Sequence, residues 1–199
     1  MRNKAIFLFC LFFLSSVYGE VVVNELSERP RIYFLPNFLT NAECDRLIGL
    51  SRKSLTRSTV VDEENTGLGK FDPRRTSRGY FLTVEDRDKT VRNIEKRIAD
   101  VTGLPVENGE ALHILYYPKG AEYQPHYDWF NPTSPGGAAC IDNRGGQRAA
   151  SVIMYLNTPL AGGETVFPRA KISVTPKKGD AVLFYNILLL IDPGSTNDN

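Results

Sequence analysis

Histidine is nearly absent from this 199-residue chain. There are two, His113 and His126, and each must be weighed as a candidate ligand or base. Cysteine is scarce as well, and three residues are too few for a disulfide scaffold. Neither sign of charge is in excess, with 24 Lys and Arg against 23 Asp and Glu. That balance argues against a dedicated nucleic-acid binder, which shows a strong basic surplus. No apolar run reaches the roughly 18 residues of a membrane-spanning helix. No repeat of roughly 20–50 residues is visible, which excludes a solenoid. What is present is a globular composition, 42% hydrophobic and 24% charged, at a length suited to one compact domain.

The first 19 residues read as an address. Arg2 and Lys4 form a basic start, residues 5–14 (AIFLFCLFFL) are continuously apolar, and small residues precede a cut after Gly19. This order is that of a secretory signal, which predicts the ER lumen of a secretory pathway or export to a periplasm. An uncleaved segment would instead anchor the chain to a membrane. Cys10 leaves with the signal, while Cys44 and Cys140 either pair or sit as two buried thiols.

Residues 20–30 read as a polar lead-in, and residues 31–199 as one domain. The apolar run Ile32-Tyr33-Phe34-Leu35, stopped by Pro36, predicts a strand. Thr40 and Glu43 form a capping box that opens a helix. A second helix is expected over residues 85–102, with Val91, Ile94, Ile98 and Val101 at helical spacing and Gly103 as its stop. Beyond Leu104 the pattern changes to short β-rich runs at 111–117, 151–156, 165–167, 171–174 and 181–185. Helices first and strands afterwards predict an α+β fold with helices packed on an antiparallel sandwich or barrel. Residues 62–77 and 131–146, rich in Gly and Pro, read as long mobile loops.

The chemistry concentrates at His126-Tyr127-Asp128. In a strand, residues i and i+2 share a face, so the imidazole and the carboxylate would point at one metal. Mixed nitrogen and carboxylate ligation suits Fe(II). His113 reads as an ordinary strand residue.

The surrounding words, in order, resemble the prolyl 4-hydroxylase family of iron(II)/2-oxoglutarate dioxygenases. They are Arg75-Thr76-Ser77-x-Gly79, Asn108-Gly109-Glu110-x-Leu112, Tyr116-Tyr117-Pro118 and Tyr123-x-Pro125-His126-Tyr127-Asp128. Then come Gly145-Gly146-Gln147-Arg148, Met154-Tyr155-Leu156, Gly162-Gly163-Glu164-Thr165-x-Phe167-Pro168 and Lys178-Gly179-Asp180-Ala181. The resemblance implies a double-stranded β-helix, a jelly-roll relative, with N-terminal helices bracing one sheet. It implies His126 and Asp128 as iron ligands and Tyr117 as a partner of the 2-oxoglutarate carboxylate. Arg75, Ser77, Glu110 and Arg148 match substrate-contact positions, and residues 62–77 match a segment that closes over the peptide. The implied reaction hydroxylates peptidyl proline in a Pro-rich or collagen-like substrate, with O2, with 2-oxoglutarate converted to succinate, and with ascorbate as reductant.

The family pattern also calls for a third ligand, a histidine from a late strand, and a basic residue beyond it. No histidine follows His126 and no Lys or Arg follows Lys178. Gly194-Ser195-Thr196 resembles the loop that precedes the missing histidine. The domain is therefore expected to be C-terminally incomplete, with its last strands missing and weak or no activity in this 199-residue form. Three alternatives stand beside this reading: a non-catalytic module that grips Pro-rich peptides, an unstable product without function, and a related peptidyl-lysine hydroxylase.

Overall fold

A computed structural model describes residues 15–18 and 21–187. The expected signal segment, apart from Ser15–Tyr18, and the Gly194-Ser195-Thr196 word lie outside the described residues. In chain order the elements are β1 (Ser15–Tyr18), β2 (Val21–Glu28), β3 (Arg31–Leu35), α1 (Asn41–Ser51), β4 (Thr56–Arg57) and β5 (Val60–Val61). Next are β6 (Gly69–Lys70), β7 (Arg78–Phe81), α2 (Lys89–Thr102), a 3-10 turn (Val106–Asn108), β8 (His113–Tyr116) and α3 (Pro135–Asn143). The chain continues through β9 (Ala150–Met154), β10 (Thr165–Phe167), β11 (Ile172–Val174) and β12 (Ala181–Tyr185).

The main sheet runs β1-β2-β3-β12-β9, and every pair in it is antiparallel. Strand β12 lies between β3 and β9, and its sequence AVLFY is apolar throughout because both of its faces are covered. Alternation sorts the side chains. Leu35, Ala181 and Leu183, with Tyr33, Val152 and Met154, face the helices, where they meet Cys44, Leu47, Val91 and Ile94. Ile32 and Val182, with Phe34 and Phe184, face the other way onto Val174, Phe167 and Ile172 of the β10–β11 hairpin. Ser151, paired with Phe184, faces this second side and reaches Asp128.

Helix α1 starts where its capping box predicts, and α2 starts four residues later than expected. Thr40 and Glu43 cap α1 reciprocally, at 3.2 Å and 2.8 Å. Asp88 caps α2 by accepting from the Val91 amide at 3.0 Å, and Gly103 closes it in the left-handed conformation at φ +70°. The four residues 85–88 expected as helix form turns instead, because Asp86 accepts from the Thr83 amide and hydroxyl and from the Tyr80 hydroxyl.

Three expectations are corrected. Residues 20–30 are no lead-in for most of their length. β2 pairs along β3 and buries Val21 and Val23, while its polar residues lie mostly farther along the strand. Residues 62–77 are tied down rather than loose. β5 pairs with β6, the Asp62 amide donates to the Leu68 carbonyl, and Asp62 bridges Lys70 at 2.8 Å. Residues 131–146 hold helix α3, which Ser134 caps and Pro135 opens. Two glycines in its first turn suggest a loop from composition, but packing requires them. A Cβ on Gly136 would stand 2.1 Å from the Asp62 carbonyl oxygen. Cys44 and Cys140 are two buried free thiols, which decides between the alternatives left open above.

Candidate metal and peptide site

His126 and Asp128 lie on an irregular segment between Tyr123 and Phe130, not on a strand. An isolated bridge joins Arg75 to Tyr123, and the Gln124 amide donates to the Arg74 carbonyl. Pro125 lacks an amide hydrogen and stops any further ladder. The two side chains converge all the same, with His126 Nε2 3.2 Å from Asp128 Oδ1.

Each member is held from behind. His126 Nδ1 is 2.8 Å from the Gln124 carbonyl oxygen, which only a protonated Nδ1 can satisfy, so Nε2 is the nitrogen left to face Asp128 or a metal. Tyr123 stacks on the imidazole, with ring centroids 3.6 Å apart and planes within 19°. Asp128 Oδ2 accepts from the Ser151 hydroxyl at 2.6 Å, and Asn186 donates to Ser151 at 2.9 Å. Burial alone would raise the Asp128 pKa. The hydrogen bonds and charge around it, led by His126 and then Ser151, outweigh burial and hold it below the usual carboxylate value. The result is the imidazole Nε2 beside one ionised carboxylate oxygen. Two ligands each about 2.1 Å from one ion stand about 3 Å apart at a right angle, so the pair fits a divalent metal as a chelating edge. Among the described residues no cluster of three or more His, Cys, Asp and Glu side chains is arranged to hold a metal.

Glu110 and Arg148, expected as separate peptide contacts, are bound to each other. Arg148 Nε and Nη2 donate to the two Glu110 oxygens at 2.6 Å and 3.0 Å, and Arg144 adds a bond at 2.9 Å. Both guanidinium groups lie over the Phe130 ring, at 4.8 Å and 5.4 Å. Burial opposes the Glu110 charge, but the two arginines, Arg148 foremost, keep its pKa below the ordinary value. Arg148 Nη1 also donates to the Asp128 carbonyl at 3.0 Å, so this cluster anchors the ligand segment.

The other sequence candidates separate. Tyr117 lies one residue past β8 and is exposed. The Tyr123 phenol pKa is raised by burial, which outweighs the opposing charge of Arg75. Arg75 lies over the Tyr123 ring at 4.7 Å and donates through Nη1 to the Thr59 carbonyl. Its Nε is buried without a hydrogen-bond partner. Ser77 does not fit the contact role expected for it. It is 0% exposed and donates to Ser58 Oγ at 2.9 Å, a packing position behind the site.

His113 lies on β8, as expected, stacked on Phe81 at 3.7 Å. Its pKa is lowered to about 4, mainly by burial and then by Arg75, so it is neutral near pH 7. Gly79 opposite leaves room for it, since a Cβ there would lie 2.3 Å from His113 Nε2.

Sequence reasoning missed three supporting residues. Tyr123 and Gln147 sit inside matched words, and their spacing was a usable signal. Gln147 accepts from the Phe130 amide and donates to the Phe130 carbonyl, both at 2.7 Å, closing the ligand segment as a neighbouring strand would. Ser151 carried no signal, because only the register of β9 beside β12 turns it toward Asp128.

Residues 112–189 match the 2OG-Fe(II) oxygenase superfamily. That span contains Tyr117, His126, Asp128 and Arg148. The chain is 44% identical over 202 residues to Prolyl 4-hydroxylase 5 of Arabidopsis thaliana, covering 89% of this chain and 65% of that protein. It is 43% identical over 198 residues to Probable prolyl 4-hydroxylase 10 of the same plant, covering 89% of this chain and 66% of that one. The chain thus spans about two thirds of the length of these relatives. Among solved structures it resembles a viral collagen prolyl hydroxylase from Paramecium bursaria Chlorella virus-1 in complex with 2OG, with a TM-score of 0.56 at 24% identity, covering 77% of each chain. It also resembles a Pseudomonas putida prolyl-4-hydroxylase, with a TM-score of 0.51 at 20% identity over 78% of this chain and 80% of that one. These structural likenesses establish the fold, an α+β jelly roll. By its matched words, its fold and its plant relatives, the chain is similar to the prolyl 4-hydroxylases, and residues 112–189 match the 2OG-Fe(II) oxygenase superfamily.

Proposed function

We propose that this chain carries the metal-holding and peptide-holding part of a peptidyl-prolyl 4-hydroxylase that uses Fe(II), 2-oxoglutarate and O2, with ascorbate as reductant. The observation that carries the reading is the convergence of His126 Nε2 and Asp128 Oδ1, 3.2 Å apart. Bound there, Fe(II) with 2-oxoglutarate supplies O2 activation coupled to decarboxylation of the cosubstrate to succinate.

The rest falls to the chain's own groups. The Gln124 carbonyl keeps the proton on His126 Nδ1, leaving Nε2 to bind. Ser151 occupies Asp128 Oδ2 and so presents Oδ1. Tyr117, which is exposed, would donate its hydroxyl to the cosubstrate carboxylate. The unpartnered Arg75 Nε is a buried donor suited to a peptide carbonyl. The β5–β6 hairpin, latched by α3, forms a wall that shields the reacting proline from water. The substrate is a Pro-rich or collagen-like peptide, encountered in the secretory pathway or an exported compartment to which residues 1–19 would direct the chain.

The test is hydroxyproline formation. The purified chain is incubated with Fe(II), 2-oxoglutarate, ascorbate and a proline-rich peptide, and the peptide is read by mass spectrometry alongside succinate release. The expected result is a 16-dalton gain on proline that is abolished in Asp128→Ala. Oxidation of lysine in place of proline, or hydroxyproline formation that survives Asp128→Ala, would overturn the reading.

A further inference from the structure

His126 and Asp128 turn toward each other, and the residue between them turns away. Tyr127 is 60% exposed, a large aromatic surface one residue from each candidate ligand. It is not isolated. Trp129 stands beside it, with ring centroids 6.1 Å apart and planes tilted by 58°. Arg169 reaches across from the β10–β11 turn, its guanidinium carbon 5.4 Å from the centre of the Tyr127 ring. That turn is firm, since the Ala170 amide donates to the Phe167 carbonyl and the Lys171 amide to the Pro168 carbonyl. Among the described residues Arg169 makes no ion pair, so its donors stay available.

We infer that Tyr127, Trp129 and Arg169 form a docking lip for the stretch of substrate that flanks the target proline, and that its occupant is an extended proline-rich segment. This rests on the hydroxylase reading for the identity of the substrate, but the lip itself is argued from three features. The exposed Tyr127 ring and the half-buried Trp129 ring beside it give proline rings an apolar face, the way aromatic-lined grooves hold polyproline II segments. A polyproline II backbone has no internal hydrogen bonds, so its carbonyls are free to accept. Proline has no amide hydrogen, so such a segment needs donors from its receptor and offers none along its prolines. An unpaired guanidinium beside two aromatic rings supplies those donors, whereas a carboxylate would not. The lip also sits next to the ligand pair, so a segment lying on it delivers a neighbouring proline to the site.

Trp129 is the one tryptophan in the chain, so its emission reports on this lip without interference. The experiment titrates the metal-free chain with a proline-rich peptide and, in parallel, with a Gly/Ser peptide of equal length, reading tryptophan fluorescence. The proline-rich peptide is expected to shift the emission saturably and the Gly/Ser peptide to leave it unchanged. Tyr127→Leu and Arg169→Gln should each weaken binding about tenfold. Arg169 lies in a surface turn, so that variant keeps the test open if Tyr127→Leu does not fold. Co(II) affinity measured on the same samples shows that the ligand pair is intact. Wild-type peptide affinity in folded Arg169→Gln, or equal binding of the Gly/Ser peptide, would overturn the docking lip. Binding that depends on Arg169 in a chain that makes no hydroxyproline would support the lip while sinking the hydroxylase reading, so the two fail separately.

Discussion

Tyr123 lies flat against His126, ring on ring at 3.6 Å, and the strand bridge that places Tyr123 is made with Arg75, whose guanidinium also covers the tyrosine ring. The orientation of one candidate ligand is thereby set by a residue three positions upstream and by another nearly fifty residues earlier in the sequence. Replacing Tyr123 by Leu removes the stack and frees the imidazole to rotate. Metal affinity, measured by Co(II) titration, should fall by about tenfold, the low end for losing a group that orients a ligand. Tyr123→Phe keeps the ring and should stay close to wild type. Equal affinities for the Leu and Phe variants would show that the stack orients nothing.

Gln147 should matter for stability out of proportion to its size. Its amide makes both backbone hydrogen bonds of buried Phe130. Gln147→Ala leaves a buried amide and carbonyl without partners, a cost of about 1–3 kcal/mol for each unsatisfied group. Gln147→Glu keeps the acceptor and loses the donor, so it should melt between wild type and Gln147→Ala. Thermal denaturation followed by circular dichroism gives the order, and melting temperatures indistinguishable from wild type would contradict the role.

His113 gives the fold an acid sensitivity. The unfolded chain takes up a proton at this residue near its ordinary pKa of 6.5, while the folded chain does so only at about 4. Between those values the unfolded state binds more protons, so stability falls as pH drops through that window and the loss is complete below about 4. His113→Phe should flatten the dependence of melting temperature on pH between 6.5 and 4, although carboxylates contribute their own slope lower in that range. An unchanged slope from pH 6.5 to 5 in the variant would rule out His113 as its source.

The latch between α3 and the β5–β6 hairpin should be sensitive to one methyl group. The Gly136 amide donates to the Glu63 carbonyl at 2.8 Å, and the Cys140 thiol reaches the Gly67 carbonyl at 3.3 Å. A Cβ on Gly136 would press on backbone atoms of Asp62, Glu63 and Gly67, none of which is a flexible side-chain end. Gly136→Ala should therefore cost about 1–3 kcal/mol and loosen the hairpin. Hydrogen exchange should rise at the amides of Asp62, Gly67 and Gly136 and stay at wild-type levels in β12. Uniform exchange across both regions would mean that α3 is no latch.

Most of the scaffold was legible because its signals are local. The capping box at Thr40, the glycine stop at Gly103, and the runs at 165–167 and 181–185 depend on neighbours in sequence, and the structure places them as expected. The parts that were not legible depend on partners far along the chain. β2 reads as polar because only its inward residues, Val21 and Val23, are buried. Helix α3 is masked by glycines that only a close approach to Asp62 explains. His126 and Asp128 were expected on a strand, and the structure puts them on an irregular segment. Alternation along a strand was the expected cause of their convergence, whereas an irregular segment held by Gln147, Arg148 and Ser151 achieves it. Glu110 and Arg148 were singled out separately, and no local pattern announced their bidentate ion pair.

The central claim is that His126 Nε2 and Asp128 Oδ1 act together on one ferrous ion. Anaerobic titration of the metal-stripped chain with Fe(II), with and without 2-oxoglutarate, tests it most directly. The account predicts one ion per chain, tighter binding when 2-oxoglutarate is present, and loss of that binding in both His126→Ala and Asp128→Ala. Stoichiometric binding that persists in either variant would contradict it.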